Sequence, residues 1–113
     1  MIKATFVNGK VDSLTSLRDG EQIVQDWQQA TGEKNLPGEF VVGTNPALAP
    51  VLPSGFMPYY GYGAGVVRLA IGDNWESGGR NHSSNGEITL FLPGATVRTS
   101  ATTLIKEGQL TGL

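Results

Sequence analysis

The chain begins with an alternation. From Ile2 to Phe6 apolar and polar residues take turns, the period of a strand with one buried face. Asn8-Gly9 follows, a pair that accepts φ > 0 at both positions and so closes two-residue hairpins. Val11 to Leu14 reads as the returning strand. The period then changes. Ile23, Val24, Trp27 and Ala30 share one helical face, and Gln25, Asp26, Gln28 and Gln29 share the other. Asp19 is expected to cap this helix, with Gln22 three residues on as its partner, and Gly32 to stop it. The pattern therefore predicts one amphipathic helix over about 19–31, with Trp27 packing it on a sheet.

Beyond the helix the strands are short. Gly38 to Val42, Val66 to Ile71 and Glu87 to Leu92 read as strands, the second interrupted by Arg68. Pro93-Gly94 and Glu107-Gly108 mark turns, and Val97 and Leu104-Ile105 head the last strands. Between Thr44 and Gly63 lie Pro46, Pro50, Pro53 and Pro58, each lacking a donor, so this stretch is expected to be a long loop. It carries Phe56, Met57, Tyr59, Tyr60 and Tyr62, a candidate recognition surface of aromatic rings or the cover of one end of a barrel. The fold class expected is mainly β (α+β): a single domain with a curved, partly barrel-like antiparallel sheet and one helix. A chain of 113 residues suffices for this without staples.

Composition narrows the functions. There is no cysteine, which excludes disulfides and thiolate chemistry and fits a reducing cytoplasm. Eight scattered Lys and Arg, in a chain of net charge -2, do not make a nucleic-acid groove. No apolar run is long enough to span a bilayer. Sixteen glycines without a fixed period indicate a turn-rich β protein with close backbone approaches.

Candidate chemistry gathers in "RLAIGDNWESGGRNHSSNGEI", where two strands flank a loop holding the only histidine, His82. A metal site would have to combine His82 with acidic residues such as Asp73, Glu39, Glu76 or Glu87, without any HExxH spacing. A Ser-His-acid set could draw on Ser77 or Ser83, without a G-x-S-x-G elbow. Glu39 and Arg68 both stand mid-strand among apolar residues. Facing inward, they would pair, because a carboxylate in low dielectric needs a cation or donor.

The order "GEF", "GTNP", "LAIGDN", "GG-N-S" along the chain resembles the C-terminal part of the thermophilic-type metalloaminopeptidases, the aminopeptidase T family. The resemblance implies a scaffold that holds a two-metal centre. Its glutamate ligand corresponds to Glu39. Its strand histidine falls on Arg68, its assisting tyrosine near Trp75, and its His-x-Asp pair near Gly86 and Ile88. The acidic segment before the histidine strand is replaced by "YYGYGAG", and the family's N-terminal domain has no counterpart. Arginine stays charged and is not a metal ligand. The expectation is therefore a metal-free, cofactor-free, catalytically degenerate domain. It would bind a peptide or partner protein, through sheet edges and through Tyr59, Tyr60, Tyr62, Trp75 and Arg68. A homodimer is expected, since a domain without its partner leaves apolar surface to cover. A role in peptide modification or natural-product assembly would suit such an accessory. The alternative is a small non-metal enzyme, a cyclase, isomerase or hydrolase, with Arg68 holding an anion and Glu39 or Glu87 moving a proton.

Overall fold

The structure, a computed structural model, describes residues 1–48 and 63–111. The aromatic loop residues Tyr59, Tyr60 and Tyr62, with Phe56 and Met57, lie outside them. The described residues are mainly β, in three sheets with one helix. Strands β1 (Ile2–Val7) and β2 (Lys10–Ser16) form the first sheet. Helix α1 (Glu21–Gln29) follows. Strands β3 (Pro37–Val42), β4 (Val67–Gly72) and β5 (Glu87–Leu92) form the second sheet in that order. Strands β6 (Val97–Arg98), β7 (Thr103–Lys106) and β8 (Gln109–Leu110) form the third. The mainly β class with one helix is as expected; the strands fall in three antiparallel sheets, with no closed barrel among the described residues. No described helix is long and apolar enough to cross a membrane.

By internal contacts the chain divides into two units, Met1–Glu39 with Ala70–Thr89, and Phe40–Leu69 with Leu90–Leu113. The first, the helical unit, begins with the β1–β2 hairpin. Asn8 and Gly9 take φ of 51° and 76°, the left-handed pair that a two-residue turn requires. Register runs Ile2↔Ser16 to Thr5↔Ser13, then shifts at a bulge, so that Phe6 faces Val11. The bulge breaks the alternation and leaves Phe6 and Val7 exposed.

Helix α1 starts at Glu21, so its cap position falls one residue later than Asp19. Asp19 adopts φ 56° and cannot serve as the cap; Gly20 occupies that position without a side-chain bond. Ser16 takes over the local polar role. Its Oγ accepts the Gly20 N–H at 3.1 Å and donates to Glu21 Oε1 at 3.1 Å. The helix ends with Ala30 as C-cap, so Gly32 is not the stop; it lies beyond, bridged to Ser83. Val24, Trp27 and Ala30 are buried as the period predicts, but Ile23 is 43% exposed. The buried stripe is narrower than the apolar one.

Val11, Leu14, Val24, Trp27 and Ile71 make the core of this unit, with Ile2, Ala4 and Ile88 packed against it. Each such side chain contributes about 1.5–3 kcal/mol by leaving water. Trp27 also satisfies its polar edge: Nε1 donates to the Lys34 carbonyl at 2.9 Å, and Lys34 Nζ lies 5.1 Å from the ring centroid.

The second, the hairpin unit, has Val66, Val67 and Ile105 among its fully buried side chains. Its backbone is drawn tight by glycines. Gly65 N donates to Gly43 O at 2.9 Å and Gly43 N to Val66 O at 2.8 Å. At Gly65, φ is 88° and a Cβ would run into the Gly108 carbonyl oxygen, so only glycine fits. Glu107 and Gly108 make the β7–β8 turn, with Glu107 N–H held by Thr96 Oγ1 at 3.1 Å.

Candidate functional site

The polar loop between β4 and β5 belongs wholly to the helical unit, and its Asp73, Asn74, Ser77, Asn81, Ser83 and Ser84 side chains have structural tasks. Asn74 is the hub. Its Oδ1 accepts the Asn81 N–H at 2.9 Å, its Nδ2 donates to Gly38 O at 3.0 Å, and its backbone carbonyl accepts the Gly79 N–H at 2.9 Å. Asn81 Nδ2 donates to Pro37 O at 3.1 Å. Asp73 Oδ1 accepts the Ser83 N–H, and Ser83 Oγ donates to Gly86 O at 2.7 Å. Ser84 Oγ accepts the Thr31 N–H at 2.8 Å. A loop rich in Asn, Ser and Gly is here a brace, whose short side chains replace ladder bonds that an irregular backbone cannot make.

The predicted catalytic candidates do not assemble. His82 is exposed, and it is held through its backbone: its N–H donates to Glu33 Oε2 at 2.6 Å and its carbonyl accepts the Glu33 N–H at 2.7 Å. Neither serine supplies a nucleophile for it, because Ser83 Oγ bonds the Gly86 carbonyl and Ser77 Oγ donates to Glu39 Oε1. Glu39, half-buried at the β3 pleat, thus has a hydroxyl as a partner. Arg68 is half-buried in β4 and belongs to the hairpin unit. Trp75 is 56% exposed at the start of a single 3₁₀ turn, and Glu87 is exposed at the start of β5.

Among the described residues no three of His, Asp and Glu lie close enough to share a metal ion, so His82, Glu39 and Glu87 do not converge. A metal centre built on the aminopeptidase pattern does not fit this donor set. Arg68 cannot add a ligand, since a guanidinium has no lone pair to give.

What the helical unit does offer is an open groove of about 570 Å³, within the size range of ligand sites. Helix α1 contributes Ile23, Asp26, Gln29 and Ala30; the segment entering and forming β5 contributes Ser84 to Thr89 without Gly86. Its floor is apolar, from Ile23, Ala30 and Ile88, and its charges are two carboxylates, Asp26 and Glu87. Each carboxylate has one oxygen engaged. Gln22 Nε2 donates to Asp26 Oδ1 and Thr89 Oγ1 to Glu87 Oε1, both at 2.8 Å. A smaller hollow of about 210 Å³ shares Glu87 and is lined also by Asp73, Trp75 and Glu76. Neither Glu39 nor Arg68 lines the groove or the hollow.

Of the predicted site residues, Glu87 and Trp75 therefore border open hollows, and Glu87 borders both. Asp26 and Ile23 escaped the sequence reading. A signal existed: Ile23, Asp26 and Ala30 sit at i, i+3 and i+7, one face of a helix. Assigning Ile23 to the core concealed it. The chain matches no family model, no curated protein and no solved structure.

Proposed function

We propose that this chain is a non-hydrolytic, aminopeptidase-like accessory domain that binds a peptide segment or partner protein in the groove beside α1. One contrast carries the reading. In the loop Asp73, Asn74, Asn81, Ser83 and Ser84 are occupied in holding backbone, whereas the groove presents apolar side chains and two exposed carboxylates. A catalytic site needs a nucleophile, base or metal free to act; a binding site needs shape, apolar area and a few placed polar groups. The helical unit supplies the second set. In this reading the accessory works in the cytoplasm, in peptide modification or natural-product assembly.

The test is binding mapped by NMR on the intact ¹⁵N-labelled chain, with a panel of short capped peptides. Amide shifts should gather at Ile23, Asp26, Glu87 and Ile88. Incubation with aminoacyl anilides, with and without added zinc, should release no product. Hydrolysis, or peptides that leave the groove amides unmoved, would overturn the proposal.

The helical unit also exposes Phe6, Val7 and Leu17. We take these exposed side chains, Phe6 and Val7 at the turn end of the β1–β2 hairpin and Leu17 at its open end, to be covered by a second copy in a homodimer. Sedimentation equilibrium at micromolar concentration checks this, and a clean monomer refutes it.

A further inference from the structure

We infer, resting on the binding role just proposed, that the groove takes a lysine side chain: an ammonium on an aliphatic stem, presented by an extended peptide segment. Charge is the first ground. The helical unit holds nine carboxylates against five cations. None of those cations lines the groove. Lys34 lies over Trp27 and donates to the Gln28 carbonyl at 2.8 Å, and Arg18 sits beside Asp19. Lys3 and Lys10 stand on the β1–β2 hairpin and Arg80 in the braced loop. The groove's field is therefore negative and uncompensated by any residue in its wall.

The floor is the second ground. Ile23, Ala30 and Ile88 offer apolar surface on which a methylene stem can lie while its charged head stays at the wet rim. The third ground distinguishes ammonium from guanidinium. Asp26 and Glu87 come from different elements, α1 and β5, and each already has one oxygen bonded by a neighbour. On either carboxylate a guanidinium fork would have to share one oxygen with that neighbour. A guanidinium fork is matched to both oxygens of a single carboxylate. An ammonium carries three rotatable donors and suits single acceptors on separate residues.

The experiment uses the intact ¹⁵N-labelled chain and one capped peptide in three versions, with lysine, norleucine or arginine at its centre. Norleucine keeps the stem and removes the charge. The lysine peptide should shift the amides of Ile23, Asp26 and Glu87 and bind about tenfold more tightly than the norleucine peptide, with arginine between them. Asp26→Asn with Glu87→Gln should erase that preference; both are exposed, so the fold is retained and Tm should stay within a few degrees. Equal binding of lysine and norleucine would overturn the ammonium assignment and leave the binding role standing. No groove shift with any peptide would remove both. Shifts that grow with protein concentration alone would assign the groove to a second copy and overturn the peptide assignment.

Discussion

The two units of this chain are built from the same kinds of strand, yet their charges are opposite. The helical unit carries nine of the ten carboxylates and a net charge of -4; the hairpin unit has three cations against one carboxylate, net +2. Their means of cohesion differ as well. The helical unit combines a side-chain core centred on Trp27 and Ile71 with a loop of side-chain-to-backbone bonds. The hairpin unit buries aliphatic side chains, Val66, Val67 and Ile105, beside a close backbone approach at Gly65 against Gly108, a glycine contact that the helical unit also makes at Gly32 and Gly72. The comparison teaches where function can reside. In the helical unit large side chains and two carboxylates border a groove; the described residues of the hairpin unit line neither that groove nor the smaller hollow.

The largest effect should come from emptying the helical core. Trp27→Ala removes a buried ring and the Nε1 bond to Lys34, and should cost about 3–5 kcal/mol. Hydrogen exchange should quicken most in β1, β2 and α1; uniform quickening along the chain would show that Trp27 supports both units alike. Next in size is a challenge to the glycine mode of packing. Gly65→Ala places a Cβ against the Gly108 carbonyl at a left-handed φ and should cost about 2–3 kcal/mol. Gly94→Ala, with open space around it, should change stability by less than about 0.5 kcal/mol. Chemical denaturation compares the two, and equal losses would remove the close-approach argument.

The brace in the loop is tested at its hub. Asn74→Ala strands the Asn81 N–H and the Gly38 carbonyl and should cost about 2 kcal/mol by thermal melting. A neutral result would mean that the loop is held by its backbone bonds alone. The smallest effect concerns Glu21. Hydrogen bonds from its own backbone N–H, from Ser16 and from the Gly20 N–H, with the charge of the terminal ammonium, hold its carboxyl below the ordinary 4.5. A carboxyl with a depressed folded value lends stability above its unfolded value and loses it as pH falls through the folded one. The Tm gap between the native chain and Glu21→Gln should therefore be present at about pH 6 and close towards about pH 3. A gap independent of pH would assign the effect to the helix, not to the charge.

Much of the architecture was legible in the sequence, because its signals are local. Alternation in Ile2 to Phe6, the Asn8-Gly9 pair and the apolar run Glu87 to Leu92 each predict their element from near neighbours. The helix boundaries were legible to within two residues. The misplaced cap arose because Asp19 takes φ 56°, outside the extended region a cap residue needs, while Ser16 from the preceding strand accepts the Gly20 N–H. Ile23 was misread because periodicity marks an apolar face without saying how wide a stripe the neighbouring strand will cover.

The site was far less legible. Asn74, Asp73, Ser77 and His82 are chemically able residues in a loop between strands, and composition alone permits them to be catalytic. Their partners lie far along the chain: Gly38 for Asn74, Glu39 for Ser77, Glu33 for His82 and Thr31 for Ser84. Only the fold brings those backbone groups within reach, and with them decides that the loop is a brace.

The sequence by itself determined the strand and helix order, the hairpin turns, the absence of thiol chemistry and the acidic bias of the residues that form the helical unit. Each follows from residue type and spacing a few positions apart. Tertiary structure alone decided which polar groups are occupied and which are open, and that Asp26 and Glu87 border one groove. Those are outcomes of long-range packing, where a hydrogen bond between distant residues removes a group from chemistry that its type would otherwise allow.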